Sequence, residues 1–283
     1  MRTIARDFET TLAALQAGEL RVHIPQSIEL FRRKPKSYFH ATPEFFIQTG
    51  GGTDFVCPGK SFRLRTKEVC VIPSGVPHAE TPVDIKTPYS ILVCMHARDG
   101  FFVQRGVANA KREIIAASTA HLASPRGRAA FRYLDELTGA AMVPEKHRKN
   151  FAKNLIETFL ITLLGELHRP SAGEESDSPL VSEAEKLVRT LLTDPELSVI
   201  RVAAMLKCST DYLSRRFRIE RGITLTSWIT RERVLMAKTL LSETRFNISE
   251  VSWASGFNAP SYFIRVFRQH TGMTPKGYRA TIL

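Results

Sequence analysis

Tyr212-Leu213-Ser214-Arg215-Arg216-Phe217-Arg218 is answered fifty residues later by Tyr262-Phe263-Ile264-Arg265-Val266-Phe267-Arg268. Gly222, Thr224 and Trp228 are answered at the same spacing by Gly272, Thr274 and Tyr278. Self-similarity at a fixed interval marks two copies of one supersecondary unit, which must be read together. Each copy predicts a short apolar helix, a tight turn and a second helix whose buried and exposed positions separate at helical spacing.

In the second copy, Asn247 and Glu250 stand in the capping-box relation and open a helix through Ile248, Val251 and Ala254. Gly256 supplies the turn, Asn258 is the expected cap of the next helix, and Pro260 suits its first turn, where no intrahelical donor is lost. Phe263 and Phe267 form an inward i, i+4 pair, leaving Ser261, Ile264, Arg265 and Arg268 outside. In the first copy Ser198 and Ser209 are the caps, Val202, Ala203 and Leu206 build the scaffold helix, and Leu213 and Phe217 anchor the second helix. Thr210, Asp211, Ser214, Arg215 and Arg218 face out. Lys207 takes the place of Gly256, which predicts a non-glycine residue in the left-handed region. Between the copies, Leu225 to Ser242 carries Trp228, Ile229, Val234, Leu235, Ala237, Leu240 and Leu241 at helical intervals without Gly or Pro. Such a helix is roughly 27 Å long, comparable with the ~34 Å between half-sites on one face of B-DNA.

The region from Val181 to Leu283 resembles the DNA-binding domain of the AraC/XylS family of bacterial transcription regulators. The resemblance is carried by Val251 to Phe257, by Ser261-Tyr262-Phe263 leading to Phe267-Arg268, by Gly272-Met273-Thr274-Pro275 and by the closing Tyr278-Arg279. It implies base contacts from Asp211, Ser214 and Arg215 in the first recognition helix and from Ser261, Tyr262 and Arg265 in the second. Ile264 departs from the family's small polar residue, and an exposed Ile suits a thymine methyl instead. Independently of the resemblance, Arg215 and Arg265 sit mid-helix where a planar fork reaches guanine O6 and N7, while Arg218 and Arg268, one turn later, suit phosphates. Any one such arginine also fits a merely solvated face. Their recurrence at matching positions favours DNA. Tyr212, Tyr262, Trp228 and Trp253 are expected to be core or half-buried packing groups.

Charge points the same way. From residue 181 on, 16 Lys and Arg face 9 Asp and Glu, against 24 and 19 in residues 1 to 180, so the basic excess is densest where the repeat lies. A basic surface collects phosphates. Met1 to Asp7 lacks the apolar core of a secretory signal and no apolar run approaches a membrane span, so a cytoplasmic protein is expected. Cys57, Cys70, Cys94 and Cys208 are scattered without zinc-site spacing and are expected as buried thiols.

From Val22 to about Val103, short apolar runs broken by Gly, Pro, Asp and Thr predict antiparallel strands: 28–31, 44–49, 53–56, 60–65, 68–72 and 89–96. This segment resembles the cupin-like barrel that many AraC-type regulators use as a sensor, most clearly at Val71-Ile72-Pro73-Ser74-Gly75-Val76-Pro77-His78. Small barrels of this kind hold one small ligand. His40, Glu44 and His78 fall where metal-binding cupins carry ligands, yet His40 is followed by Ala41 and Thr42, so the paired His-x-His is missing. The trio is therefore expected to line or border an effector pocket, or else to make ordinary structural hydrogen bonds, rather than to hold a catalytic metal; His96 is expected as a packed or surface histidine. Residues 126–142 and 148–168 predict two helices. In the second, Phe151, Leu155, Phe159, Leu163 and Leu167 line one face with Ile156, Leu160 and Leu164 beside it, a stripe broad enough for self-association into a homodimer or for packing within the chain. Arg169 to Pro179 is polar and proline-bounded, as a linker is.

The expected protein is thus α+β: a cupin-like sensing domain over 1–169, a linker over 170–180 and an all-α double helix-turn-helix domain over 181–283. The expected function is effector-responsive, sequence-specific regulation of transcription, commonly activation, with promoter DNA, a small-molecule effector and RNA polymerase as partners, and with no enzymatic activity, cofactor or membrane contact. The alternative is a cupin-type metal enzyme fused to a DNA-binding domain.

Overall fold

Strands buried on both faces read as continuous apolar runs, and Phe45-Phe46-Ile47, Val69-Cys70-Val71-Ile72 and Ile91-Leu92-Val93-Cys94 are such runs. The computed structural model describes residues 2–25, 40, 42–97, 100–169 and 179–282, and the chain divides into two compact units, Met1–Pro170 and Ser171–Leu283. In the first, helix α1 (Arg2–Gln16) precedes strands β1 (Val22–His23), β2 (Glu44–Gly50), β3 (Gly52–Cys57), β4 (Lys60–Arg65), β5 (Val69–Ile72), β6 (Ala79–Pro82), β7 (Ser90–His96), β8 (Gly100–Ala108) and β9 (Ile114–Ala123). Helix α2 (Pro125–Asp135), a 3-10 turn (Glu136–Met142) and α3 (Glu145–Leu167) close the unit.

The strands are divided between a six-stranded sheet ordered β1-β5-β2-β7-β8-β9 and a three-stranded sheet ordered β4-β3-β6. Alternation along β2 gives the large sheet two apolar faces. Phe45 and Ile47 join Val69, Val71, Leu92, Phe101 and the helices, while Phe46 joins Cys70, Ile91, Phe55 and Leu64 between the sheets. The predicted strands at 44–49, 53–56, 60–65, 68–72 and 89–96 are all strands, and the one at 28–31 lies outside the described residues. Helix α1, with Ile4, Phe8, Leu12 and Leu15 packed on the core, went unread, as did β9, whose Ala, Ser and Thr carry little strand signal.

The apolar stripe of α3 is used inside its own unit. Ile156, Phe159, Leu160 and Leu163 are fully buried, and Phe159 packs 5.2 Å from both Phe45 and Phe131. Of the two readings of the stripe over 148–168, a homodimer face or packing within the chain, these contacts follow the second: the stripe is broad because it meets α1, α2 and the sheet together.

The second unit comprises α4 (Pro179–Thr190), α5 (Val199–Met205), α6 (Thr210–Arg221), α7 (Leu225–Glu243), α8 (Ile248–Ala254), α9 (Pro260–Thr271) and α10 (Pro275–Ile282). Ser198 and Ser209 cap α5 and α6, and Asn247 with Glu250 forms the full capping box of α8. Lys207 lies at φ 53°, opposite Gly256 at φ 85°, as the sequence predicts. Asn258, however, does not cap α9. The N-cap is Ala259, without a side-chain hydrogen bond, and Asn258 instead reaches the Pro195 carbonyl at 3.5 Å. The second turn is one residue longer than the first, so α5 and α8 begin 49 residues apart while α6 and α9 begin 50 apart, and the cap slot moves off Asn258.

Candidate nucleic-acid interface

Helices α6 and α9 are each fixed from inside by a phenylalanine and a distant aromatic ring. Phe217 packs 5.6 Å from Trp228, and Phe267 packs 5.5 Å from Tyr278, the matching pair fifty residues on. The twinning extends outward: Arg189 lies 5.9 Å over Trp228 and Lys238 5.7 Å over Tyr278, a repeat at spacing 49 that the sequence reading did not find. The later part of α7 therefore serves the second copy as α4 serves the first. Gly222 and Gly272, at φ 70° and 77°, end both recognition helices in the left-handed conformation that terminates a helix readily at glycine.

Opposite these buried anchors run two stripes at i, i+3, i+4, i+7. Asp211, Arg215 and Arg218 on α6 are exposed and Ser214 is half-buried, while Ser261, Ile264, Arg265 and Arg268 on α9 are all exposed. Among the described residues, Arg215, Arg218, Arg265 and Arg268 have no carboxylate partner, whereas the neighbouring Arg216 pairs with Glu220 at 2.6 Å, Arg221 with Glu185 at 2.5 Å and Arg201 with Asp194 at 2.6 Å. The structure thus separates arginines engaged in holding the fold from arginines left facing solvent. Tyr212 and Tyr262, expected as packing groups, are instead 54% and 47% exposed. Tyr262 carries the Arg265 guanidinium 5.3 Å above its ring, which steadies that side chain on the outer face. Trp228 is buried and Trp253 half-buried, as expected. Ser261, Ile264, Arg265 and Arg268 also line a surface depression of about 670 Å³ together with Gln269, Gly272 and Thr274. Gln269 was not singled out in the sequence, where the signal was its place next to Arg268; Thr274 entered there as the repeat partner of Thr224.

The turn of the second copy is clamped onto the first. Arg233, on α7, donates from Nε to the Leu192 carbonyl at 3.1 Å and from Nη2 to the Asp194 carbonyl at 2.7 Å, and lies 5.9 Å over Phe257. Burial depresses its pKa, with nearby Asp194 pulling the other way.

In the first unit the structure brings His40, Glu44 and His78 together. Glu44 Oε1 lies 3.5 Å from His40 Nε2 and Glu44 Oε2 lies 3.1 Å from His78 Nε2, and the rings are 5.7 Å apart. Glu44 and His78 are 3% and 1% exposed, so they do not line an open pocket as expected but lie beside the closed packing between the sheets. Burial alone would raise the Glu44 pKa, but the two imidazoles hold it below the ordinary carboxylate value. Burial alone would lower that of His78, and the hydrogen bond and charge of Glu44 raise it instead. Glu80, overlooked in the sequence, stands two residues along the same strand face from His78, and its pKa is pushed up to about 7 by burial. His96 is half-buried, with Nε2 accepting from Arg128 Nε at 3.2 Å.

Residues 187–281 match the family described as Helix-turn-helix domain. The arabinose operon regulatory protein of Escherichia coli (strain K12) is 34% identical over 149 residues, covering 51% of this chain and 49% of that protein. The HTH-type transcriptional activator RhaR of Escherichia coli O139:H28 is 32% identical over 135 residues, covering 46% and 48%. Over this domain the chain is similar to these two regulators of transcription. It spans about half the length of the curated relatives it matches. Among solved structures, the C-terminal domain of AraT, a response regulator from Geobacillus stearothermophilus, aligns with a TM-score of 0.36 and 32% identity over 37% of this chain and 86% of that one.

Within this helix-turn-helix domain the chemistry follows from side-chain type. A guanidinium free of carboxylates keeps all its donors for base edges or phosphate oxygens, and Ile264 offers only an apolar surface. Among the described residues, no helix is long and apolar enough to cross a membrane.

Proposed function

We propose that the chain is a cytoplasmic transcription regulator that places α6 and α9 in successive major-groove segments of promoter DNA. Arg215 and Arg265 read guanine, Asp211, Ser214, Ser261 and Tyr262 add polar contacts to bases or backbone, Ile264 meets a thymine methyl, and Arg218 and Arg268 fix register on phosphates. The observation that carries this reading is the twin exposed stripe with unpaired arginines at the same two positions in each copy. The connecting helix α7 has 19 residues, about 28 Å of rise, which suits grooves one helical turn apart. Consistent with the names of the relatives, the output is control of transcription, with RNA polymerase as the further partner, and no catalytic step is assigned. The first unit is the sensing half, and a thermal-shift screen of small metabolites against the full chain tests for its effector.

Selection of binding sites from random duplexes by the full chain, followed by titrations over a range of salt, tests the DNA reading. A preferred sequence with two half-sites about one helical turn apart, and affinity falling linearly in log–log against salt, is the expected result. Salt-dependent binding without any preferred sequence would overturn it in favour of an architectural binder.

A further inference from the structure

Residues 145–153 hold Lys146, Arg148, Lys149 and Lys153, with His147 among them, against the single Glu145. They open helix α3, and Lys146 to Asn150 are all exposed. A helix favours acidic side chains at this end, where its dipole is positive, and like charges three or four residues apart repel. Lys146 and Lys149 stand three apart and Lys149 and Lys153 four apart. This end of α3 is therefore built against its own stability, and such departures from local rules are expected at functional surfaces. Building on the DNA-binding reading of the second unit, we propose that this face is a second DNA-docking surface, in which Lys146, Lys149 and Asn150 hold the phosphate backbone of the duplex outside the segments met by α6 and α9.

Elsewhere in the unit, arginines are used to hold the fold: Arg21, Arg63, Arg105 and Arg169 pair with Glu68, Asp54, Asp7 and Glu166. On α3 itself, Arg148 Nε donates to the Val143 carbonyl at 2.8 Å and Lys153 Nζ to the Gln16 carbonyl at 3.0 Å. Lys146 and Lys149 have no carboxylate partner among the described residues, and Glu145, one turn before Lys149, does not pair with it. Their ammonium groups are left to solvent or to an anion. Lys146, Lys149, Asn150 and Lys153 recur at i, i+3, i+4, i+7, so they share one face over about 10 Å of helix rise. A duplex carries one negative charge per ~1.7 Å of its axis, so that length meets several phosphates. A compact ammonium on a flexible stem suits a contact that ignores sequence, and Asn150 adds an uncharged donor. Charge complementarity selects a polyanion, and duplex DNA is the polyanion that the unpaired arginines of α6 and α9 already favour.

Salt titrations of the full chain carrying Lys146→Gln and Lys149→Gln together, on a duplex that extends about two helical turns beyond the selected site on each side, test the face. Each phosphate neutralised contributes about 0.9 to the log–log slope, so the double variant should lose nearly two from it while its preferred sequence stays that of the wild type. Between roughly 200 and 50 mM salt, wild type should then gain about tenfold more affinity than the variant. Both positions are exposed and glutamine keeps helix propensity, so circular dichroism and melting should not change. Lys60→Gln with Arg65→Gln, which removes the same charge from exposed positions of β4, should leave the slope unaltered. A wild-type slope for the α3 variant, or an equal fall for the β4 pair, would overturn the proposal; an unchanged slope with lost promoter output in cells would overturn it in favour of an acidic protein partner. Should wild type select no sequence while the α3 variant still loses slope, the reading by α6 and α9 would fall and the α3 contact would stand.

Discussion

Gly256→Ala is the substitution for which the structure makes the sharpest demand. A Cβ built there lies 2.2 Å from the Leu192 carbonyl oxygen and 2.8 Å from Arg233 Nε, on a backbone already at φ 85°. Gly222 and Gly272 share the left-handed conformation, but a Cβ at either meets nothing within 4 Å. For those two, alanine incurs the left-handed penalty, partly offset by a less flexible unfolded chain, for a net cost of about 1 kcal/mol. At Gly256 the turn must also retreat from the Leu192 backbone, which removes the Arg233–Leu192 hydrogen bond, and a bond from a charged donor contributes about 1.5–3 kcal/mol. The expected cost is therefore about 3 kcal/mol or more, a fall of about 12 °C or more in the melting temperature of a unit this size. Both tryptophans of the chain, Trp228 and Trp253, lie in the DNA-binding unit. Their fluorescence in full-length protein reports the unfolding of that unit, in urea or on heating. If Gly256→Ala unfolded at the same urea concentration as Gly272→Ala, the close approach to Leu192 would carry no energy and the clamp between the two copies would be refuted.

Arg265→Ala should cost about 1–3 kcal/mol at the cognate site and relax base preference there, while Arg268→Ala should weaken all sequences alike and reduce the salt slope by about one; equal losses for Arg265→Ala on specific and random DNA would remove its reading role. Arg233→Lys, which keeps the charge but loses the planar fork that grips Leu192 and Asp194, should destabilise the second unit by about 2 kcal/mol in the same fluorescence assay, and wild-type stability would show the two carbonyl bonds to be dispensable. Burial, reinforced by Arg128, lowers the pKa of His96 to about 4, against ~6.5 in the unfolded chain. The unfolded state therefore takes up the proton first, and wild type should lose up to about 3 kcal/mol relative to His96→Gln as pH falls from 6.5 to 4, with no difference in slope above 6.5; parallel stability curves for the two proteins across that window would contradict the assignment.

The second unit was legible because its signals are local. Caps, turn glycines and i, i+4 aromatic pairs act within one turn of helix, so Ser198, Ser209, the Asn247–Glu250 box and the strained Lys207 could be placed from neighbours alone. Asn258 misled for the same reason: a good capping residue one place too early looks identical until the extra residue in the turn is seen. The first unit depends on contacts across long sequence separations. The stripe of α3 announced a partner but not which one, and the answer, α1 and the large sheet, lies over a hundred residues upstream. Glu80 could have been found from the alternation His78-Ala79-Glu80, but its importance appears only once Glu44 is seen across the interior.

The repeat also explains why α7 cannot be a passive spacer. Its first residues supply Trp228 to the first copy, and its later residues supply Lys238 over Tyr278 to the second. Arg233 stands between them and ties the turn at Phe257 to the loop after α4. One helix is therefore the last element of one reading unit and the first of the next, and rotating it would disturb the packing beneath both recognition helices together. The relative placement of Arg215 and Arg265 is thus held by buried aromatic and arginine contacts rather than by linker length. Conservative changes at the buried positions of α7 should then alter the tolerated half-site spacing before they alter affinity for either half-site alone.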